Sequence, residues 1–523
     1  MKRKYGLLPT ILLLTFCIGI FSGFKKNEKL SGKSEKVRTV ITTDGEVDDM
    51  NSVIRFMYYS NEMDLSGIVL TSSVYHYAGD EKNGIKPFRW TGTEWLQDFI
   101  DKYEKIYPNL SIHAKGFPKP DYVRSVTKIG NIKSVGEMNE VTEGSEFLKK
   151  LFLDKDQRKL YVQTWGGTNT TARALKSIEE EYGNSKDWTA IQKKISDKVV
   201  IYIILDQDDS YGNYIAKKWP NIKIINDISN FWHFAYAWKF HTNEVNSLLQ
   251  GDWLYKNIKS EHGPLLDKYA LMGDGNILDG ELFDEQRGTD TYLQKNPQYK
   301  KYDFISEGDS PSFFYLINNG LRSLEDPTYG GWGGRFGVVS DKLWKNNVLD
   351  YNPYSKQYEA EYSLMRWFDD IQNDFAARAD WSVAKTYKDA NHAPILKIKE
   401  GINLKVKAGE SVTLHAKGQD PDGDKLIYKW WRYAEADTYE DSKVEKNEDV
   451  YDKTYGLVLS ITRKLANNEV VDSIELTGSD TDTVTFTVPK DAKKGDTIHI
   501  IGEVKDSGKF NLKHYQRVII TVK

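Results

Sequence analysis

The sequence predicts an α/β domain with a mostly parallel sheet and flanking helices, followed by a smaller all-β sandwich. Two patterns lead to this prediction. Between residues 37 and 226, short β-branched apolar runs alternate with helical segments, which is typical of a parallel sheet covered on both faces. Beyond residue 391, short alternating runs separated by turn residues are typical of an immunoglobulin-like sandwich. We therefore expect the α/β domain at 37–390 and the sandwich at 391–523.

The individual runs give the expected elements. Strands are predicted at 37–43, 65–71, 160–164, 199–205 and 222–225, and helices at 94–107, 171–182 and 211–218. The sandwich strands are predicted at 402–407, 411–416, 426–431, 483–488, 497–504 and 517–522. Ligands of open α/β sheets bind at the carboxyl ends of the strands. Polar residues that directly follow a predicted strand are therefore the candidates for a functional site.

Composition limits the class of protein. The chain has 523 residues, 39% of them hydrophobic, and a net charge of −4. It is therefore long enough for two or three domains and lacks the basic charge that would attract nucleic acid. The 14 Trp and 32 Tyr residues suit sugar-facing clefts and equally suit core packing. The composition leaves the oligomeric state open, and a homo-oligomer is compatible with it.

The N-terminus indicates export. A basic start and an apolar run at 7–21 predict a signal peptide at 1–23, followed by a lysine-rich linker at 24–36. The apolar run is too short for a comfortable membrane span. Cys17, the only cysteine of the chain, lies within it, and a lipid anchor there is the alternative to simple export. We expect a protein of the periplasm, the cell surface or the medium, without disulfides.

Four carboxylates follow the first predicted strand within six residues. They are Asp44, Glu46, Asp48 and Asp49, and a helical pattern begins directly after them. Four converged, ionised carboxylates need a cation, a helix N-terminus or strongly raised pKa values. Calcium suits such a site because it takes about six to eight oxygen ligands. A solvated acidic turn with an aspartate N-cap is the alternative, and the turn alone leaves both open.

The order of these residues resembles the N-terminal motif of nucleoside hydrolases, Asp-x-Asp-Pro-Gly-x-Asp-Asp. Asp44, Asp48 and Asp49 match the motif, whereas Thr42 stands at its first Asp and Gly45-Glu46 at its Pro-Gly. More closely, the whole chain resembles a bacterial nucleoside-hydrolase-like family often described as cellulose-binding, with its own C-terminal β domain. The resemblance implies a nucleoside-hydrolase-like sheet and a Ca²⁺ ion that holds the sugar hydroxyls and the attacking water.

Two further loops follow predicted strands. Thr168 and Asn169 come after the strand at 160–164 and resemble the Gly-Pro-Leu-Thr-Asn loop of the hydrolases. The resemblance implies that the backbone carbonyl of Thr168 binds calcium and that Asn169 lies beside it, although a helix N-cap explains both residues without a ligand. Asp208 follows the strand at 199–205, where sugar binding and helix capping are equally compatible with its position.

Two later segments supply the remaining candidates. Asp309 precedes Pro311 and an apolar run that marks a helix start, and the resemblance assigns it to the metal and the sugar. The alternatives here are that Asp309 is an N-cap and that Glu307 is the ligand. Trp332 and Arg335 lie in a glycine-rich segment. On a mobile rim they would stack on and grip a sugar, whereas a tight turn that docks one tryptophan is the competing explanation.

The predicted sandwich begins with an acidic hairpin of its own. Asp420, Asp422 and Asp424 alternate in a segment that resembles the Asp-Pro-Asp-Gly-Asp hairpin of bacterial immunoglobulin-like and cadherin-like modules. The alternating carboxylates could hold a second calcium ion, but we expect a capped turn that leads into the core tryptophan Trp430. This domain would position the first one without contributing chemistry.

The resemblance implies a calcium-dependent hydrolase that cleaves an N- or O-glycosidic bond of a pentose-like or plant-glycan-derived sugar. Asp44, Asp49, Asp309 and the Thr168 carbonyl would hold the ion; Asp44 would be the general base, while Asp48 orients a hydroxyl. The expected substrate contacts are Asp48, Asn169, Asp208, Asp309, Trp332 and Arg335. The alternatives are a non-catalytic, calcium-dependent carbohydrate-binding or cellulose-binding protein and a structural surface protein. The retained aspartate spacing favours the enzyme, because a pure binder needs no water-activating carboxylate.

Overall fold

A computed structural model describes residues 36–282, 285–440, 450–454, 457–464 and 473–523. The predicted signal peptide at 1–23, with Cys17, and all of the predicted linker except Lys36 lie outside these residues. None of the helices in the described residues is long and apolar enough to cross a membrane.

A sheet of eight strands forms the centre of the first part of the chain. Its strands are β1 (Arg38–Thr43), β2 (Asp64–Leu70), β3 (Thr127–Ile129), β4 (Leu160–Thr164), β5 (Val199–Ile204), β6 (Lys223–Asp227), β7 (Gly337–Ser340) and β8 (Leu343–Lys345). The helices are α1 (Val47–Tyr59), α2 (Glu94–His113), α3 (Pro120–Ser125), α4 (Glu143–Leu153), α5 (Asn169–Tyr182), α6 (Trp188–Lys198), α7 (Ala216–Lys218), α8 (Asn243–Asn246), α9 (Gly251–Leu254), α10 (Asp290–Lys295), α11 (Ser310–Phe314), α12 (Tyr362–Met365) and α13 (Phe368–Val383).

The strand order places the carboxyl ends of the central strands side by side. The order is β3-β2-β1-β4-β5-β6-β8-β7, and every neighbouring pair is parallel except the terminal β7/β8 hairpin. β1 lies between β2 and β4, with Ile41 opposite both Ile68 and Gln163. The turns that follow β1, β2, β4 and β5 therefore meet at one edge of the sheet, where ligands of such folds bind.

Both faces of the sheet are covered, which explains the continuous apolar runs of its central strands. Val40 and Ile201 pack into one core with residues of α4, α5 and α6. Their sequence neighbours Ile41 and Tyr202 pack into a second core with residues of α1, α2, α11 and α13. Successive side chains of a strand point to opposite faces, so a strand buried on both sides is apolar at nearly every position.

The remaining strands are antiparallel with one exception. They are β9 (Asp350–Asn352), β10 (Gln357–Glu359), β11 (Ile395–Ile398), β12 (Asn403–Val406), β13 (Ser411–Gln419), β14 (Ile427–Arg432), β15 (Val450–Thr454), β16 (Leu457–Lys464), β17 (Thr483–Thr487), β18 (Thr497–Lys505) and β19 (Lys513–Val522). β11-β13-β17 and β12-β19-β18-β14 form two sheets, in which only β12/β19 is parallel, around a shared core with Trp430. β9 and β10 join β15 and β16 in a third sheet.

The predicted fold class is confirmed: a mostly parallel sheet with helices precedes all-strand sheets consistent with a β-sandwich. One predicted helix differs in kind. The segment 211–218 contains a wide π-turn followed by only three α-helical residues. The carboxylate of Asp206 accepts hydrogen bonds from the backbone N–H groups of Tyr211 and Gly212, at 3.2 and 2.9 Å. These bonds hold the chain at the start of the turn.

A buried ion network joins the C-terminal strands to the first part of the chain. Asp350 is fully buried and accepts hydrogen bonds from Arg335 (2.7 Å), Arg366 (3.0 Å) and the hydroxyl of Tyr433 (2.5 Å). Although burial alone would raise it, the two guanidinium groups lower the pKa of Asp350 below its usual value. The carboxylate is therefore ionised in the folded protein, and two arginines depend on its charge.

Replacing Asp350 by alanine should lower the free energy of unfolding by about 3–5 kcal/mol, because it leaves two buried guanidinium groups without their counter-ion. Urea unfolding followed by fluorescence measures this loss. Asp341→Ala, at an exposed position, is the matched control and should change the free energy of unfolding by less than about 0.5 kcal/mol. Equal stabilities of the two variants would contradict the assignment.

Candidate metal centre

The turn between β1 and α1 is tightly built around its acidic residues. The Oδ1 atom of Asp49 accepts hydrogen bonds from the Thr43 hydroxyl at 2.5 Å and from the Asp44 backbone N–H at 3.2 Å. Gly45 has a φ of +79°, and a Cβ there would lie 2.6 Å from Thr91 Oγ1. A side chain at Gly45 would therefore disrupt the turn that aims the carboxylates.

A carboxylate from the distant α11 segment completes the cluster. One oxygen each of Asp48, Asp49 and Asp309 lies within 4.8 Å of the others. A Cβ on Gly308 would lie only 2.8 Å from Asp48 Oδ2, so this glycine allows the Asp309 loop to approach. Asp309 stands at the N-cap of α11 but makes no side-chain cap hydrogen bond. Its carboxylate is therefore free of the capping role that the sequence left open.

The cluster has unused ligand atoms. Asp44 Oδ2, Asp48 Oδ1 and Asp309 Oδ2 are buried and have no hydrogen-bond partner. Because an unsatisfied buried carboxylate oxygen is costly, these three atoms require a ligand or a proton. Oxygen atoms are the ligands that a hard cation such as Ca²⁺ prefers. The donor set therefore fits a calcium ion.

The electrostatics of the cluster also favour a cation. Burial raises the pKa values of Asp44, Asp48, Asp49 and Asp309, and the surrounding carboxylates raise them further. For Asp48 the main neighbouring charge is Glu46, and for Asp49 it is Asp309. A bound divalent ion would remove this repulsion and allow all four carboxylates to ionise together.

The cluster forms the acidic wall of a small cavity of about 200 Å³. Glu46, Asp48, Asp49 and Asp309 line this wall, and Asp44 is not among the lining residues. The other walls are mainly aromatic and also carry charged and apolar residues; they contain Tyr75, Trp165, Phe231, Trp232, Tyr236, Arg89, Arg287, Glu285, Ile204, Leu205 and Gln207. Carboxylates next to aromatic rings suit a sugar, since the rings cover its apolar face and the carboxylates accept its hydroxyl protons.

Glu46 is held in place within this cavity. The Tyr236 hydroxyl donates a hydrogen bond to Glu46 Oε1 at 3.0 Å, and His76 Nε2 lies 3.8 Å from Glu46 Oε2. Neither ring nitrogen of the buried His76 has a hydrogen-bond partner among the described residues. Glu46 therefore presents a fixed carboxylate to whatever occupies the cavity.

The loops after β4 and β5 form a separate structural cluster. Asp208 accepts hydrogen bonds from the Thr168 hydroxyl (3.2 Å) and the Asn169 backbone N–H (2.9 Å), so it caps α5. The Thr168 carbonyl accepts the N–H of Ala172 at 2.8 Å and thus belongs to the helix. The Asn169 side chain bonds to Ser72, Thr71 and the Asn131 carbonyl. None of the three predicted residues lines the described cavity; Asp208 caps α5, and the Asn169 side chain joins the neighbouring loops.

Glu307, the alternative ligand, has a structural partner. It is fully buried and pairs with Arg55 through contacts of 2.5 and 2.8 Å, with further hydrogen bonds from Tyr269 and Ser310. Arg55 stands on α1, so this ion pair fixes the Asp309 loop against the helix that carries Asp48 and Asp49. Glu307 therefore positions the cluster and does not belong to it.

Trp332 and Arg335 do not lie on a mobile rim, and that part of the prediction is corrected. Trp332 is 4% exposed and Arg335 is 6% exposed. Arg335 donates to Asp350 and to the Leu349 carbonyl at 2.7 and 2.8 Å. Both residues are absent from the lining of the described cavity. They dock the glycine-rich segment into the core, so we leave them out of the site.

Residues 38–336 match the family model "Cellulose-binding Sde182, nucleoside hydrolase-like domain", and residues 411–522 match "Cellulose-binding protein Sde0182, C-terminal domain". The first match alone spans more than half of the chain. The chain belongs to the Sde182 nucleoside hydrolase-like family.

A solved structure supports the same membership. It is a nucleoside hydrolase-related hypothetical protein from Saccharophagus degradans that is associated with carbohydrate metabolism. The two proteins share 26% sequence identity, and the TM-score is 0.66. The match covers 93% of this Sde182-family chain and 100% of the relative's chain. A cohesin–dockerin complex from R. flavefaciens matches over 24% of this chain and 94% of its own, at 18% identity and a TM-score of 0.12, which carries no argument. No curated protein matches the chain.

Sequence reasoning missed most of the cavity walls of this Sde182-family protein. Tyr75, Arg89 and Arg287 come from irregular segments, and Trp232 and Tyr236 come from the aromatic block at 230–238, which shows no motif of a binding site. The only signal was the concentration of aromatics beside His76 and in that block. Nothing in a single sequence shows that a loop after β6 folds back over the turn after β1.

The hairpin of the C-terminal strands follows the capped-turn interpretation. Asp420 Oδ1 accepts the backbone N–H groups of Asp422 and Asp424, both at 2.9 Å. Asp422 in turn accepts the backbone N–H of His392 at 2.7 Å. Asp420, Asp424 and Asp506 also bring oxygens within 4.8 Å of one another. The hydrogen bonds of the turn account for Asp420 Oδ1, and those to Asn391, Gly508 and Leu512 account for Asp506.

Two aspartates of the Sde182-family chain should behave differently on substitution. Asp309→Asn should weaken calcium affinity at least about tenfold, because it removes a ligand charge. Asp208→Ala should instead lower the free energy of unfolding by about 1–2 kcal/mol through loss of the α5 cap, without changing calcium affinity. Calorimetric calcium titration and urea unfolding measure the two effects. An equal loss of calcium affinity in both variants would show that Asp208 belongs to the metal site.

Proposed function

We propose that this protein is an exported, calcium-dependent glycosidase that cleaves an N- or O-glycosidic bond of a pentose-like or plant-glycan-derived sugar. The observation that carries the proposal is the acidic wall of the cavity: three clustered carboxylates, each buried or half-buried, two of which, Asp48 and Asp309, have an unpartnered oxygen, in a cavity that aromatic side chains also line. Membership of a nucleoside hydrolase-like family supports hydrolysis. The cellulose-binding name of that family and the carbohydrate association of the solved relative support a glycan substrate.

Asp48, Asp49 and Asp309 would hold the calcium ion, and Asp44 belongs to the same turn, where its backbone N–H donates to Asp49 Oδ1. When bound, the ion would supply charge that orients sugar hydroxyls and favours ionisation of a water molecule. The Thr168 carbonyl, assigned to the ion by resemblance, already accepts a helix hydrogen bond. We therefore propose the ligand set without it.

Asp44 is the proposed general base. Its Oδ2 atom is free of hydrogen bonds, and its other carboxylate oxygen is oriented by the Glu46 backbone N–H at 3.4 Å. Burial raises the pKa of Asp44, which makes it a better proton acceptor than a solvated aspartate. Asp48 and Glu46 would accept hydroxyl protons of the bound sugar and so fix its orientation.

The remaining cavity residues would stabilise the cationic character of the transition state. Cleavage of a glycosidic bond gives an oxocarbenium-like centre, and carboxylates fixed beside it lower its energy. Trp232, Tyr236 and Phe231 would cover the face of the ring that the carboxylates do not contact. Tyr236 also donates to Glu46 at 3.0 Å, so the aromatic and acidic walls are joined by a hydrogen bond.

A non-catalytic, calcium-dependent carbohydrate-binding role is the second candidate. Two residues favour it: Thr42 replaces the first aspartate of the hydrolase motif, and the Glu46 side chain projects into the cavity where the motif has glycine. The second change alters the wall on which a nucleoside would lie, because Glu46 lines the cavity. The cellulose-binding name of the family is equally compatible with a binder.

Turnover by the mature protein should require both Asp44 and calcium. Chromogenic ribofuranosides, a nucleoside panel and plant-wall oligosaccharides are offered with and without a chelator. Asp44→Asn should lower kcat/KM at least about a hundredfold, as expected for loss of a general base, whereas exposed Asp341→Asn should not. Unchanged turnover and unchanged calcium affinity in Asp44→Asn would refute the enzyme, and calcium-dependent sugar binding without turnover would establish the binder.

Calcium removal should destabilise the protein in a pH-dependent way. The pKa values of the four aspartates are raised in the folded state, so without metal protonation stabilises the folded protein. This stability is lost as the pH rises through the folded-state pKa values of the aspartates. A metal present at a hundredfold excess over its Kd adds about 2.7 kcal/mol. We therefore expect a chelator to lower the Tm more at about pH 8 than at about pH 5. Asp309→Asn is the control, and a Tm indifferent to chelation at both pH values contradicts the metal site.

A further inference from the structure

A second groove is lined by other residues than the acidic cavity. It has a volume of about 680 Å³, is open to solvent, and is formed by the end of α13, the 3₁₀ turn at Tyr387–Asp389, the hairpin at 420–424 and the loop before β19. This volume is within the roughly 300–1,000 Å³ of small-molecule sites. It shares no lining residue with the acidic cavity. We call it the Tyr387 groove.

One aromatic ring in this groove is exposed and rigidly supported. Tyr387 is 41% exposed. Its inner face lies flat on the His392 ring, with ring centroids 3.7 Å apart and an interplanar angle of 2°. A ring covered on one face in this way exposes its opposite face, and Tyr387 lines the groove. The groove therefore contains a flat aromatic surface with a free side.

The support beneath Tyr387 is itself fixed by hydrogen bonds and stacking. His392 stacks on His113 and Trp381, each at a centroid distance of 5.2 Å. Its Nδ1 atom lies 3.0 Å from Asp422 Oδ1, and its Nε2 atom lies 3.1 Å from His113 Nδ1. Because both ring nitrogens are engaged, the imidazole cannot rotate without breaking a hydrogen bond. Stacking of a ligand on Tyr387 should therefore cost little additional side-chain conformational entropy.

The charges around the ring define the ligand further. The groove is lined by four aspartates and two lysines, which are Asp380, Asp389, Asp422, Asp424, Lys388 and Lys509. Lys509 pairs with Asp380 at 2.6 Å, so its charge is matched. The Thr386 hydroxyl fixes Asp389 at 2.7 Å. The excess of carboxylates repels anionic polymers and offers acceptors to hydroxyl groups beside the aromatic face.

We propose that the Tyr387 groove is a binding site for a neutral polysaccharide chain, with Tyr387 as the stacking platform. A pyranose ring has an apolar face bordered by hydroxyls, which matches a flat aromatic ring bordered by carboxylates. A proline-rich peptide also stacks on tyrosine, but it lacks hydroxyl donors for Asp389 and Asp424. The site would hold a glycan chain independently of any reaction in the acidic cavity.

The test is the affinity of the full mature protein for cellohexaose, xylohexaose and mannohexaose, measured by isothermal titration calorimetry. Tyr387→Ala should weaken binding of the preferred oligosaccharide about tenfold or more through loss of the stacking surface. Tyr387→Phe should retain it, because the ring and not the hydroxyl is the contact. Tyr354→Ala removes a tyrosine that is 51% exposed elsewhere and should have no effect.

Measurements of turnover beside oligosaccharide affinity distinguish the Tyr387 groove from the acidic cavity. Asp309→Asn should leave the Tyr387-dependent affinity intact, and Tyr387→Ala should leave hydrolysis of a small chromogenic glycoside intact, so the two proposals can fail separately. Circular dichroism confirms that each variant is folded. Binding that is equal in Tyr387→Ala and the unaltered protein overturns the proposal. So does a failure of all three oligosaccharides to bind, or tighter binding of a proline-rich peptide than of any of them.

Discussion

The mutual repulsion of buried carboxylates at the turn after β1 is the constraint on which the rest of the site depends. Asp44, Asp48 and Asp49 are placed by one turn and one helix start, and Asp309 is brought to them by a loop some 260 residues later in the chain. Burial raises the free energy of each ionised carboxylate, and each neighbouring negative charge raises it further. A fold that accepts this cost needs a compensating ligand at the same place, which is the physical reason to expect a cation there.

Holding four such charges together requires a rigid frame, and the frame consists of buried pairs outside the cluster. Arg55 and Glu307 are both fully buried and connect α1 to the Asp309 loop through two hydrogen bonds. The Arg55 guanidinium also lies 3.9 Å from the centroid of Phe375 on α13. A charged pair at this depth is worth little as net stability but is expensive to break. It therefore fixes the register of the two segments that carry the ligands.

The sequence predicted the features that depend on neighbouring residues. It did not predict the position of side chains that depends on contacts with distant segments. The alternation of strands and helices predicted the sheet, and the spacing of Asp44, Asp48 and Asp49 predicted three of the four aspartates of the cluster, because one turn positions all three. Asp309 came from resemblance and chain order. Arg335 was misplaced because its partner Asp350 lies on β9, a strand too short to recognise, and Trp332 was misplaced because a single sequence does not show that its ring is buried. The Thr168 loop has the same residues whether it caps a helix or binds a metal, and only the Asp208 contacts decide between them.

Under the two proposals, the acidic cavity and the Tyr387 groove would divide the work of recognition, which bears on the choice between enzyme and binder. The acidic cavity, at about 200 Å³, accommodates little more than one sugar unit, whereas the Tyr387 groove is more than three times larger and open. A protein that only held a polymer would need the open groove and would have no use for a water-activating carboxylate such as Asp44. Burial raises the pKa values of the four aspartates, and the proposed hydrolysis would use them for chemistry on a single residue of the glycan.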